Sequence, residues 1–206
     1  MKKHLLIALL LVASITACKK GEEVVSPTNN NTGVVSITAN TPTKFSANIN
    51  GNNVSYTVDN TDYVEMQSGS QFFSDSTYLI YNNFINRKVG TDIINVIALS
   101  KGTLAIAGVS DLDTLSFSNF YNVGVHYFSD YADKGFELEW IDDNNVKWTT
   151  SGVEQPDSRF NITQKITYKK DGYYYVKYKA AFFCNLTNGR ETIKLTNGSM
   201  IGSFSL

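Results

Sequence analysis

From residue 45 onward, apolar and polar residues alternate with a period of two, and short clusters of Asn, Asp and Gly interrupt the pattern. Strands with one buried face, joined by tight turns, produce this signature. It is clearest from Phe136 to Thr150, where Phe136, Leu138 and Trp140 alternate with Glu137 and Glu139, Asp142-Asp143-Asn144-Asn145 follows, and Val146, Trp148 and Thr150 resume. Opposed residues of an antiparallel pair share a face, so the loop length must bring Trp140 back onto the later apolar set. A three-residue loop does so, pairing Trp140 with Trp148 and Leu138 with Thr150. Asn145 then takes the left-handed position that such loops need.

Parity predicts the later registers in the same way. Phe160, Ile162, Ile166 and Tyr168 alternate with Asn161, Thr163, Lys165, Thr167 and Lys169. A Lys170-Asp171-Gly172 loop pairs Tyr168 with Tyr174, Ile166 with Val176 and Phe160 with Phe182. Asn188-Gly189 reads as a two-residue hairpin that pairs Cys184 with Ile193 and Phe182 with Leu195. Asn197-Gly198 reads as a turn into a last strand through Met200, Phe204 and Leu206. Near the front, Phe45, Ala47 and Ile49 precede the turn Asn50-Gly51-Asn52-Asn53, and Val54, Tyr56 and Val58 follow it. Asp92 to Leu99 and Thr103 to Val109 add two short apolar runs. Between Asp113 and Asn122, Phe117, Phe120 and Tyr121 fall at i, i+3 and i+4, which predicts one short helix. The fold expected is an all-β antiparallel sandwich of eight to ten strands with at most one short helix, a lipocalin-like barrel being the alternative.

The first 43 residues read differently. Lys2, Lys3 and His4 precede an 11-residue apolar run from Leu5 to Ile15, long enough for a secretory signal and too short to span a bilayer as a helix. Ile15-Thr16-Ala17-Cys18 resembles the bacterial lipobox, which implies a signal peptide over residues 1–17 and lipidation of Cys18. Lys19-Lys20-Gly21-Glu22-Glu23 resembles the surface-export signal of Bacteroidota lipoproteins, and Lys19 beside the Cys argues against inner-membrane retention. Residues 18–43, with their Asn-, Thr- and Ser-rich stretch, read as a flexible tether, and 44–206 as a single all-β domain. The expected location is the outer membrane, lipid-anchored and facing the cell exterior.

Composition narrows the function. The 26 aromatic residues (Trp 2, Tyr 12, Phe 12) all lie at or after Phe45, which excludes a disordered chain. A formal net charge of −1 gives no basic domain, so nucleic acid is excluded as a partner. Two cysteines exclude a disulfide scaffold and multi-Cys metal sites. No cofactor motif is present.

Further along, Gly135 to Thr150, Ser158-Arg159-Phe160-Asn161-Ile162-Thr163 and Val176 to Gly198 resemble uncharacterised Bacteroidota lipoprotein domains. Those domains carry a D-x-N-G-V-x-W hairpin, an S-x-F-x-I-T strand start and an L-T-N-G-x-F ending. Here Asn145 replaces the Gly, and Met200 replaces the final Phe. The resemblance implies fold and address, and no activity.

Residues able to do chemistry are few. His126, the one histidine after the leader, sits in Val125-His126-Tyr127-Phe128 and reads as packed among aromatics. Cys184 reads as a small buried hydrophobe. Glu137 and Glu139 share a strand face like a glycosidase pair, but read as a solvated polar face. Asp111-x-Asp113 and Asp142 to Asn145 offer calcium-type oxygens without the EF-hand spacing, and read as turn formers. No catalytic or metal-binding residue is assigned.

The candidate ligand platform lies on the opposite sheet face. The predicted registers gather Tyr173, Tyr175, Lys177, Lys179, Phe183, Lys165, Lys169 and Lys194 there, with Lys165 directly opposite Lys177. Like charges so placed destabilise a sheet unless something compensates. Residues 59–143 hold 13 acids and 4 bases, whereas 144–206 hold 4 acids and 9 bases. Aromatic faces stack on sugar rings and lysines supply point charge, so the platform fits an acidic glycan or an acidic protein surface. The expected function is a non-catalytic, lipid-anchored surface module for binding or accessory roles. The alternative is a structural or envelope-assembly lipoprotein acting through protein contacts.

Overall fold

The computed structural model describes residues 36–68, 77–106, 113–128 and 135–206. The leader, Cys18, the lysine–acid run, Asp111 and residues 107–109 lie outside the described residues. Residues 36–206 form one compact unit.

Eleven strands and one helix make up the described fold. In chain order they are β1 (Lys44–Ile49), β2 (Asn52–Thr57), β3 (Tyr63–Ser68), β4 (Thr77–Val89), β5 (Asp92–Ile106), α1 (Thr114–Phe120), β6 (Gly124–His126), β7 (Phe136–Ile141), β8 (Lys147–Thr149), β9 (Arg159–Lys170), β10 (Tyr173–Thr187) and β11 (Thr192–Ser205). The neighbour order is β2-β1-β11-β10-β8-β7-β5-β4-β3, and β9 also pairs with β10 and β6. Every pairing between these strands is antiparallel. The sheet is folded over its apolar face and is not closed into a barrel. Tyr56 of β2 lies 5.3 Å from the ring of Tyr63 on β3 and accepts a hydrogen bond from Trp140 of β7, so the two ends of the strand order meet across the core. The expected all-β sandwich is the architecture found.

Parity explains the hairpins that match. The front turn is shorter than the four residues expected: Asn50 and Gly51 alone form it (φ 49° and 88°), Asn52 and Asn53 belong to β2, and parity still pairs Phe45 with Tyr56 and Ala47 with Val54. Trp140 lies opposite Trp148, and Asn145 has φ 61°, as the Trp hairpin requires. Asp142 organises that loop by accepting from the backbone N–H of Asn144 and Val146 and from the Trp148 indole.

Four further expectations are corrected. The β9–β10 loop holds two residues, Asp171 and Gly172 (φ 51° and 86°), and pairs Lys170 with Tyr173. Tyr168 therefore faces Tyr175, and Ile166 faces Lys177. A bulge between Ile162 and Gln164 inserts one unpaired residue and restores the parity, so Phe160 still meets Phe182. The β10–β11 loop has four residues, pairing Thr187 with Thr192 and Cys184 with Leu195. A slip of two keeps every side chain on its face, which is why the apolar match survived there. Asn197-Gly198 is not a turn. Asn197 (φ 51°) sits at a bulge within continuous β11, with Gly198 opposite Phe182. Likewise Asp92 to Leu99 and Thr103 to Ile106 belong to one 15-residue strand.

The helix forms where expected. Asp113 caps it by accepting from the Ser116 N–H at 2.6 Å. Phe117 and Tyr121 are fully buried, and their rings link Tyr81 of β4 to Phe204 of β11 at 4.4–5.3 Å. The core continues along the inner face of β10 through Val176, Tyr178, Ala180, Phe182, Cys184 and Leu186.

Candidate ligand platform

On β10 the residues that alternate with this core row face outward, so Tyr173, Tyr175, Lys177, Lys179 and Phe183 share a face. Lys194, opposite Asn185, joins them from β11. Lys165 and Lys169 do not. The two-residue loop puts Lys165 opposite Tyr178 and Lys169 opposite Tyr174, on the other face of the sheet. Lys165 Nζ donates to the Ser118 carbonyl at 2.9 Å and approaches Ser118 Oγ at 3.1 Å, against the last turn of α1, where a cation is favoured. Burial pulls its pKa below the usual lysine value. The like-charged pair of Lys165 with Lys177 is therefore absent.

The middle of the platform is covered. Residues 36–43, inside the stretch read as tether, lie across the outer face of β9 and β10. The Ile37 N–H donates to Gln164 Oε1 at 3.0 Å, and Lys177 Nζ donates to the Ala39 carbonyl at 3.3 Å. Lys177 is buried, and burial lowers its pKa while nearby Glu65 opposes that shift. Glu65, on β3, accepts from Thr43 Oγ1, Asn83 Nδ2, Ser203 N and Ser203 Oγ, stitching β3 to the free edge of β11.

What remains exposed falls into two clusters. At the hairpin tip, Tyr175 stacks on Tyr168 with centroids 5.0 Å apart and planes 9° apart. Tyr173 beside them is 60% exposed, with Lys170 opposite it. Together with Gln67, Ser205 and Leu206, Tyr173 and Tyr175 line an open groove of about 390 Å³. Burial raises the phenol pKa of Tyr168 and of Tyr175, so both rings are neutral donors at physiological pH. Eight residues up β10, about 27 Å at the usual rise per residue, Phe183 and Lys194 border a second hollow. Arg159, which pairs with Phe183, places its guanidinium 5.4 Å from that ring. Lys179 lies between the clusters, half-buried. Tyr168, Gln67 and Arg159 are not among the residues expected on the platform, since the expected register pairs Tyr168 with Tyr174 on the other face. A Tyr168–Tyr175 pairing follows at once from a two-residue Asp-Gly turn, so the signal for it was present.

The other reactive residues are engaged. Cys184 is buried, which pushes its thiol pKa up. His126 packs edge-on against Phe136 at 5.4 Å. Its Nε2–H donates to the Asn122 carbonyl at 2.8 Å, which leaves Nδ1 as acceptor for Lys101 Nζ at 3.3 Å. Glu137, read as solvated, is buried and accepts from Thr149 Oγ1 at 3.1 Å. Glu139 pairs with Lys147. Asp113 and Asp142 spend their oxygens on the helix cap and the hairpin turn. Among the described residues, no group of three His, Cys, Asp or Glu is placed to hold a metal ion.

No family model, no curated protein and no solved structure matches this chain.

Proposed function

We propose that this chain is a non-catalytic, lipid-anchored outer-membrane domain of the Bacteroidota lipoprotein type that binds saccharide at the outer face of its β9–β10 hairpin. The observation that carries this reading is the tyrosine ledge: an exposed Tyr173 next to a Tyr175 held flat against Tyr168, above an open groove. Flat, rigid aromatic faces lose little entropy on binding and stack on the apolar faces of sugar rings. Gln67 and the tyrosine hydroxyls line the same groove and offer hydrogen bonds to sugar hydroxyls. Cys18 in its lipobox supports the anchor, and residues 19–23 support export to the surface.

The test is a binding screen of the full chain, purified in detergent, against neutral and acidic polysaccharides at two salt concentrations. Binding of neutral polysaccharide that disappears in Tyr173→Ala/Tyr175→Ala, with the fold unchanged, supports the reading; a flat screen with folded protein discards it. The anchor is tested separately by labelling with a palmitate analogue, which Cys18→Ser must abolish.

A second reading has its own observation. Leu115, Val123, Val125 and Tyr127 are 54–73% exposed, an apolar row beside α1 and along β6 that suits a protein interface. As an envelope-assembly protein, the chain would crosslink to a protein partner at Tyr127 and be indifferent to sugars.

A further inference from the structure

The hollow beside Phe183 differs in chemistry from the tyrosine groove. It measures about 330 Å³, at the lower end of the range for small-ligand sites, and is lined by Pro156, Asp157, Ser158, Phe183, Asn185 and Lys194 among others. Its floor is formed by two neighbouring strands, β10 and β11, and Arg159 stands beside it from a third, β9. Arg159 on β9 pairs with Phe183 on β10, and Asn185, two residues further along β10, pairs with Lys194 on β11. All of these project from the outer face, so one aromatic ring lies between two cations. Neighbouring strands are about 4.8 Å apart, so the Arg159 and Lys194 backbones stand roughly 12 Å apart, within joint reach of two long side chains.

Neither cation forms an ion pair among the described residues, and both are exposed. Phe183 keeps 36% of its surface in solvent although the ring beneath an arginine normally gains from being covered. The wall above them is fixed. Gln155 Oε1 accepts from the Asn185 N–H at 3.0 Å, and Gln155 Nε2 donates to the Asn185 carbonyl at 2.7 Å and to the Thr150 carbonyl at 3.1 Å. Asn185 Nδ2 returns a bond to the Glu154 carbonyl at 2.9 Å. The loop 153–158 is thereby held at a set height over the sheet, so a ligand need not order it first.

We infer that this hollow is a second binding site, distinct from the tyrosine ledge, and that it takes a carboxylate-bearing sugar ring of the uronic acid kind. The guanidinium of Arg159 offers the planar fork that matches a carboxylate, Lys194 adds a second positive charge, and the Phe183 ring supplies the apolar face for the pyranose. Asp157 at the rim accepts from ring hydroxyls. The choice of a sugar rests on the saccharide reading above; the demand for a carboxylate rests on Arg159 and Lys194 alone.

The test uses tetragalacturonate and its methyl ester, which differ only in whether the carboxylates are charged, titrated into the full chain by calorimetry. The acid is expected to bind at least tenfold more tightly than the ester. Arg159→Gln and Lys194→Ala, both at exposed positions, should each weaken the acid at least fivefold with an unchanged circular dichroism spectrum. Lys169→Ala, on the opposite face, and Tyr173→Ala/Tyr175→Ala, at the far end of the same face, should leave it unaltered. Equal binding of acid and ester, no binding at millimolar acid, or equal losses in Lys169→Ala overturns the site. Neutral glycan bound at the ledge with no response to tetragalacturonate would strike this site and leave the ledge standing. Loss confined to the tyrosine variant would instead transfer the acid to the ledge.

Discussion

The side-chain amide of Gln155 stands in for a strand beside Asn185, giving an acceptor to its N–H and a donor to its carbonyl at 3.0 and 2.7 Å. On this edge of β10, β8 reaches only Thr187 and β9 only Phe183, and Asn185 falls in the gap. Gln155→Ala leaves both backbone groups without their partner, at a cost of about 1–3 kcal/mol. Urea denaturation should register this as a lower midpoint with an unchanged slope. Amide exchange at Asn185 should accelerate more than at Val176, and uniform acceleration would assign the loss to the whole domain.

Phe182 closes down on Gly198 from the neighbouring strand. A Cβ at Gly198 would lie 2.5 Å from the Phe182 ring and 2.6 Å from its carbonyl oxygen. Gly198→Ala is therefore expected to cost about 1–3 kcal/mol through forced displacement. Adding Phe182→Leu should recover part of that loss, because the ring can retreat while the carbonyl cannot. Thermal denaturation of the two single variants and the double variant measures the coupling, and strict additivity would contradict the contact.

Lys101 predicts an unusual response to alkali. It is 3% exposed, with Nζ 4.5 Å from the Phe136 centroid and 4.6 Å from that of Phe120. Burial holds its pKa down at about 8, against 10.5 for a free side chain. Between those values the unfolded chain binds more protons than the folded one, so this lysine makes stability rise with pH from about 8 to 10.5. Below pH 8 the whole penalty is present, at most on the order of 3 kcal/mol. Buried Tyr121 and Tyr178, whose pKa values are raised, act in the opposite sense at the alkaline end. The difference between the natural chain and Lys101→Met isolates the lysine: it should shrink as pH climbs through this window. A constant difference would place Lys101 in water.

On the acid side the neighbouring imidazole takes over. Burial lowers the His126 pKa, and Lys101 adds to the effect against the opposing Asn122 hydrogen bond. The unfolded state therefore takes up the proton first, and stability falls as pH drops below about 6.5. His126→Gln should flatten urea midpoints between pH 6.5 and 5; a natural chain already flat there would refute the assignment.

Asn145 tests the Trp hairpin. Its φ of 61° suits Asn and Gly and penalises a side chain that cannot bond locally. Asn145→Ala is expected to cost about 1–2 kcal/mol, and Asn145→Gly to stay within about 1 kcal/mol of the natural chain. Melting temperatures of the two variants decide it.

These positions also mark how far the sequence could be read. The Trp140–Trp148 register was legible because the hairpin is short and both strands keep one parity to their ends. The same logic failed on β9, where parity was carried through twelve residues while the chain places a bulge at Thr163. That one slip moved Lys165 and Lys169 to the wrong face and created a charge repulsion that does not exist. β4 was invisible for a related reason. Asn82, Asn83 and Asn86 interrupt its alternation, yet Asn83 and Asn86 are buried, Asn83 being held by the Glu65 carboxylate. Glu65 itself is an unremarkable acid in the sequence, and its role depends on two strand edges meeting. Gln155 and Arg159 matter for where they stand beside β10, a relation that no local pattern encodes.

The bulge at Thr163 separates β9 into two stretches that obey different rules of inside and outside. Before it, Phe160 and Ile162 answer to the aromatic interior. After it, Tyr168 turns outward to the hairpin tip, and Lys165 turns inward to α1. The spare residue at 163 lets the two stretches keep opposite parities, so the outward turn of Tyr168 that builds the tyrosine ledge coexists with the inward turn of Phe160 and Ile162. Thr163 acts as the joint between two halves of one strand that turn opposite faces to the core.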